Sequence, residues 1–334
     1  DYYGNLEIEA NYSNGLINGT WTKYDFEESP LEKGEFVKGL RDGHWEYYFE
    51  RERKSADEYY DKGKKIGEWR EYHYNGRLAS SITYENDKPV GSSNTYYSNR
   101  KLASKTFYKL GLPDSTYAEY YENGIQAIEG KYKLGLKVGP WKYFHENGLI
   151  SEFGVYEVDL KTGNWKFFSE SGRLRSEGQY EKDKEIGQWF NYYENGKLES
   201  IGNYVAGDKD GLWGYFHLDG DLMKEETWSK GKLLNITDFI TARGKTLSSG
   251  SLKNGNGEVT NYFPDGKRFS EGPYQNGFPN GEWKFYDDRG RILTSGELKD
   301  GVKVGQWNVY STTRRVIKRE FYESGVLVDE SMNN

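Results

Sequence analysis

The chain has no cysteine, only two methionines and only seven prolines in 334 residues. Without cysteine there are no disulfides, no thiol catalysis and no thiolate metal sites, and either redox compartment is compatible. No apolar run approaches the ~20 residues that a membrane helix needs. Nothing in these residues reads as a secretory leader. A basic stripe of the kind that tracks a phosphate backbone is also missing. Lys, Arg, Asp and Glu are mixed along the chain, and the net charge is −7. No nucleic-acid partner is therefore expected. Hydrophobic residues total only 35%, and the mean hydropathy of −0.97 would by itself suggest disorder. Disordered chains are poor in rings, however, and here 17% of residues are aromatic, with 30 Tyr and 10 Trp. Such a chain buries rings rather than aliphatic side chains, and the rings favour a folded sheet.

The rings are periodic. With the Trp of each G-x-W triplet as the zero position, steps of 24 residues from Trp21 reach Trp45, Trp69, Ser93, Tyr117, Trp141, Trp165, Trp189, Trp213 and Thr237. A step of 22 reaches Val259, and steps of 24 then reach Trp283 and Trp307. A second column, three residues on, is Tyr or Phe in twelve of thirteen units, with Ile240 as the exception. A third runs through Phe36, Tyr60, Tyr84, Tyr132, Tyr156, Tyr180 and Tyr204. Repetition at a fixed period is the mark of a stacked array, so the whole of 1–334 is expected to be one array. Partial units flank it: "YYGNL" near the start places Gly4 and Leu6 in their columns, and the end, "FYESGVLVDE", is read as stopping at the turn after Tyr322.

Each unit reads as strand, hairpin, strand, turn. Asn147-Gly148, Asn123-Gly124 and Asn195-Gly196 are expected to form two-residue type I′ hairpins. The fold expected is all-β: an elongated, twisted, single-layer antiparallel meander of about thirteen 24-residue hairpins and roughly 26 strands. Side chains alternate along a strand, so the zero-position ring and the ring three later should occupy opposite faces. Arg314–Tyr322 is expected as the last strand, with Arg314, Arg315, Lys318 and Arg319 blunting its edge.

The pattern Y-x-x-G-x-x-x-G-x-W-x-x-Y-x-x-N-G, well seen in "YEKDKEIGQWFNYYENGKL" (180–198), resembles the MORN repeat in its bacterial variant form. The resemblance spans nearly the whole chain. It implies a hairpin-repeat sheet without catalytic machinery, a scaffolding role in protein complexes, some of them at membranes, and an antitoxin-like label carried by many bacterial variants.

Chemistry-bearing residues are sparse. His73, His145 and His217 share one column, 72 residues apart, which separates them by roughly 29 Å in such a sheet. They cannot share a metal. His44 reads as a surface residue beside Trp45. "GDKDG" (207–211) lacks the full calcium-loop pattern and reads as an ordinary turn. No acid pair, nucleophile elbow or phosphate loop stands out from the repeat. The expectation is therefore no enzyme, no cofactor and no metal. The structural aromatics are Trp21, Trp45, Trp69, Trp141, Trp165, Trp189, Trp213, Trp283 and Trp307. Two stretches, 89–117 and 228–260, lose the key Trp in successive units, and Ser115 and Asn235 replace the glycine two places earlier. Local rule-breaking can mark contacts, so Tyr96, Tyr97, Tyr117, Trp228 and Phe239 are candidates for touching a partner. The expected function is a protein–protein interaction scaffold, an accessory subunit of a bacterial cell-envelope complex. Alternatives are binding of envelope glycan through aromatic ladders, or antitoxin-like inhibition of one partner protein. The start at Asp1 rather than Met suggests processing and an envelope location, periplasmic or at the outer membrane. A cytoplasmic location is the alternative.

Overall fold

The computed structural model describes residues 6–50 and 52–332. Gly4 lies outside the described residues. Within them the regular structure is entirely β, as the two-residue alternation and the wealth of rings demand.

One unit shows how the local sequence acts. Strand Leu136–Phe144 pairs antiparallel with Ile150–Glu157, placing Trp141 opposite Gly154. Between them the His145 carbonyl accepts from the Gly148 N–H, and the Leu149 carbonyl accepts from the His145 N–H, both at 2.8 Å. Only Gly148 has positive φ there, at 87°. This is a type I turn closed by a left-handed glycine bulge, a three-residue loop. The type I′ turn expected at Asn-Gly is thus corrected: Asn147 stays right-handed. The I′ geometry sits at the other connection instead, where Leu134 and Gly135 have φ of 51° and 85°. The chain uses the same turn after Tyr322, with Ser324 at 48° and Gly325 at 84°. It therefore does not stop there. A further strand, Val326–Met332, pairs with Val316–Glu323, which corrects the expectation that the preceding strand is the last.

The G-x-W triplet is a bulge. In the pairing of Gln126–Lys133 with Leu136–Phe144, Glu129 faces Lys142 and Lys131 faces Val138. The lone Gly130 thus stands against Gly139-Pro140-Trp141. Gly139 takes φ 69° to make the kink. Such a bulge increases twist and re-aims the side chain that follows, here the Trp.

The fold divides into two compact units. The first comprises Asp1–Lys161 and Glu170–Gly172, and the second Thr162–Ser169 and Arg173–Asn334. In the first, consecutive hairpins pair in chain order from Ile8–Ser13 onwards. In the second, the hairpins continue to Lys232–Ile236, where the first sheet, of twenty strands, ends. A small pair, Phe239–Ile240 with Thr246–Leu247, follows, and a second sheet runs from Gly257–Tyr262 to Val326–Met332. The expected antiparallel hairpin meander is thus present, its strands carried in two principal sheets.

The two irregular stretches behave differently. Residues 89–117 stay in the sheet as full strands. Ser115 keeps the bulge with φ 94°. Asn235 is not among the positive-φ residues; the register there shifts by a single residue, between Thr227 and Trp228, and the strand ends one residue later. Across the break, Leu233 joins Leu252, Val259, Trp283, Leu298 and Trp307 in one buried cluster.

Candidate functional site

The zero-position rings form the interior of one face. Trp45, Trp141, Trp165, Trp189, Trp213, Trp283 and Trp307 are buried. Six of them, all but Trp165, are seen in a slot shared with a neighbouring strand. A Cβ on Gly34, Gly130, Gly178, Gly202, Gly272 or Gly296 would stand less than 3.0 Å from the indole of the Trp eleven residues later. The glycine exists for that close approach. The rings lie edge to face, with Tyr132 and Trp141 at 5.2 Å and 82° and Tyr180 and Trp189 at 5.2 Å and 88°. Most indole N–H groups donate to a backbone carbonyl ten residues back, such as Trp213 to Asn203 at 3.1 Å. A cation covers the ring: Arg41 over Trp45 at 4.2 Å, Lys209 over Trp213 at 4.2 Å and Lys303 over Trp307 at 4.3 Å.

Where the slot partner is not glycine, the occupant is less buried or is no longer Trp. Glu58 replaces the glycine before Trp69, which is only half-buried. Ile82 precedes Ser93, and Thr106 precedes Tyr117, so bulk removed from one side is returned on the other. Sequence reasoning missed this glycine column, although its signal was present as a Gly two residues before the third aromatic column.

The ring column three residues on faces the other way, as expected. There Tyr72 donates to Asp57 at 2.9 Å, Tyr192 to Glu177 at 3.0 Å and Tyr286 to Glu271 at 2.5 Å. Burial and the Glu271 carboxylate push the Tyr286 hydroxyl up to about 12.

Three further ladders join one unit to the next. Asn75, Asn99, Asn123, Asn147 and Asn195 each donate from Nδ2 to a turn carbonyl 23 residues on, at 2.7 to 3.2 Å. In the histidine column, Tyr97, Tyr121 and Tyr193 donate their hydroxyls to a backbone carbonyl of the next unit. His73 and His217 meet the equivalent carbonyls through Nε2 at 2.7 and 2.6 Å. These two histidines are tyrosine equivalents, each with a polar tip on a flat ring. In the third ladder, Asp42 and Asp210 accept the first N–H of the following turn, both at 2.9 Å. Asp210 of "GDKDG" is thus engaged as a turn residue.

The candidates for partner contact are largely absorbed into the fold. Phe239 is 2% exposed and packs on Tyr262 at 5.3 Å. Tyr117 occupies the Trp position, 5.8 Å from Trp141, and donates to Glu119. Burial and that carboxylate raise its hydroxyl above the ordinary range. Trp228 is half-buried and donates to Glu226 at 3.0 Å. Of these three only Phe239 is buried; Tyr117 and Trp228 keep partly exposed rings whose polar atoms are engaged within the fold. Tyr96 and Tyr97 are half-buried as well.

Two charged clusters interrupt the pattern. His44, Glu46 and Asp57 bring donor atoms within 4.8 Å of one another, a set that could ligate a cation. Lys54 already supplies the positive charge: its Nζ lies 2.7 Å from Glu46 and 2.8 Å from Asp57. His44 adds a 2.8 Å bond to Asp57. Burial would raise the Asp57 carboxyl, yet hydrogen bonds from Lys54, Tyr72 and His44 hold it below its ordinary value. The second cluster centres on Glu226, which is 7% exposed and stands where the slot glycine would be. It accepts from Lys224 at 2.6 Å, Tyr215 at 2.8 Å and Trp228. Burial opposes its charge, but Lys224 dominates and keeps its carboxyl low. Burial lowers Lys209 nearby, against the pull of Glu226.

Among the described residues no helix is long and apolar enough to cross a membrane. Comparison with known families matches the MORN repeat variant at residues 65–86, 161–182, 185–206 and 255–276. All four segments begin four residues before the zero position, in the register described above. Comparison with curated proteins finds no match. Among solved structures, the TcdB2-TccC3-Cdc42 crystal structure is 12% identical over 94% of this chain and 20% of that one, with a TM-score of 0.16. A Tc holotoxin pore from Photorhabdus luminescens is 11% identical over 89% and 18%, with a TM-score of 0.14. The chain spans about a fifth of the length of these structures, and so low a structural likeness carries no argument.

Proposed function

Because this chain is a MORN-repeat protein of the variant kind, we propose that it is a non-enzymatic scaffold for protein–protein interaction. We place it as an accessory subunit of a bacterial cell-envelope complex. One observation carries the reading. The recurring polar side chains, Asn, Tyr or His and Asp, are each tied to the next unit's backbone. The chemistry of the chain is thus directed at propagating a surface, unit after unit. Most of the zero-position Trp rings are buried against glycine backbone, which argues against them as platforms for sugar stacking. A glycan would have to use other rings.

The test is a cross-linked pull-down of the tagged protein from its native cells, with envelope and soluble fractions kept apart and read by mass spectrometry. Reproducible cross-links to one envelope protein support the proposal. Retention on isolated envelope glycan, displaced by free sugar and without any protein partner, overturns it in favour of carbohydrate binding. A single soluble toxic protein as the partner overturns it in favour of inhibition.

A further inference from the structure

We propose that the turn edge spanning residues 110–160 is a self-association surface, on which a second copy of this chain docks in an antiparallel, two-fold arrangement. Three consecutive type I′ turns in the first compact unit carry it. Leu110 and Leu112 are 70% and 46% exposed, Leu134 and Leu136 51% and 39%, and Val158 and Leu160 56% and 38%. The turns are hydrogen-bonded in series, Gly135 N–H to the Pro113 carbonyl at 2.7 Å and Asp159 N–H to the Lys137 carbonyl at 3.1 Å. The six side chains therefore make one ridge, roughly 20 Å long at two strands per turn.

Leu112 lies against the next unit's turn at Gly135, but the fold gives no reason for Leu110, Leu134 and Val158. Leu110, Leu134 and Val158 have φ of 54°, 51° and 53°, a left-handed conformation unfavourable for bulky residues and worst for a β-branched one. Equivalent turns elsewhere put Lys38, Lys62, Asn86, Lys182, Ala206, Lys230 or Asp300 at that position. Three successive units thus hold an exposed apolar side chain in a strained backbone where a polar residue is the local preference. Such a departure points to a contact beyond the chain.

The occupant follows from area and charge. The exposed fractions add up to about three whole residues, roughly 500 Å² per copy and about 1,000 Å² for two, the lower bound of a specific interface. Charge along the ridge is self-complementary only head to tail. Lys109 flanks the first turn and Glu157 the third, and neither has an ion pair among the described residues. With a two-fold axis at the middle turn, each Lys109 meets a Glu157 of the other copy, twice over. Such an isologous contact closes as a dimer. Lys133 would meet its own counterpart near the axis, and its long stem lets the ammonium extend to solvent.

Sedimentation velocity on the full chain across a concentration series tests this, with circular dichroism as the check on folding. The wild type should approach twice the monomer mass. Leu134→Glu should weaken self-association by more than about a hundredfold, since a buried Leu is lost from both copies. Lys109→Glu should weaken it about tenfold, and Lys109→Glu with Glu157→Lys should restore it. A wild type that stays monomeric throughout overturns the proposal, as does a folded Leu134→Glu chain that associates like wild type. Failure of the charge swap to restore association overturns the antiparallel arrangement.

Discussion

Replacing Gly202 with alanine should disrupt the step between two units, although it adds one methyl group. That methyl would stand less than 3.0 Å from the Trp213 indole, which is 1% exposed and has no space to retreat into. The ring must tilt or the strands must part. Overpacking of this kind costs about 1–3 kcal/mol. A tilt also strains the 3.1 Å bond to the Asn203 carbonyl, worth about 1 kcal/mol. It further disturbs the Lys209 contact at 4.2 Å, worth about another 0.5–1 kcal/mol. The expected loss is about 3 kcal/mol, concentrated in the second compact unit. Because an array need not unfold in one step, the assay is native-state hydrogen exchange on amides flanking 202 and 213, supported by urea unfolding. A double-mutant cycle with Trp213→Leu isolates the cause. In that smaller background Gly202→Ala should cost less than about 1 kcal/mol, leaving at least 1.5 kcal/mol of coupling. A change within 0.5 kcal/mol of wild type, or an additive cycle, would refute the slot.

The other predictions concern charge and strain. Ser115→Gly should stabilise the chain by about 1 kcal/mol in urea unfolding, because it relieves a φ of 94° that glycine adopts freely. Glu226→Gln should destabilise the second unit by about 3 kcal/mol, since Lys224 loses its buried partner, and exchange near residues 215–228 should report it. Asp57 and Glu46 are both held below their ordinary values. Their contribution is present above the usual carboxylate range and lost as pH falls through the lowered folded values. Lys54→Met removes the cation that lowers them, so acid unfolding should begin at higher pH than in wild type. An unchanged acid midpoint would contradict the role given to Lys54.

Much of the fold was legible because repetition averages away local ambiguity. Any single hairpin is weak evidence, whereas thirteen in phase fix the period, the strand class and the opposition of the two ring columns. Spacing alone placed the three histidines of one column too far apart to share a metal. The turn type at Asn147-Gly148 was not. The dipeptide favours I′ in isolation, but here the amide is drawn to the next unit's carbonyl and only the glycine turns left-handed. Nor could the sequence show that Phe239 would be drawn inside, because loss of a Trp reads the same whether the space is exposed or refilled.

By itself, then, the sequence determined what is local and periodic: hairpins, bulges and the alternation of faces follow from glycines and rings at fixed intervals. Tertiary structure alone decided which glycine meets which indole, since that pairing joins residues of different units eleven apart. It also decided where the first sheet ends. Ser115 and Asn235 depart from the same glycine, yet one keeps its left-handed kink and the other does not, as the surrounding strands decide.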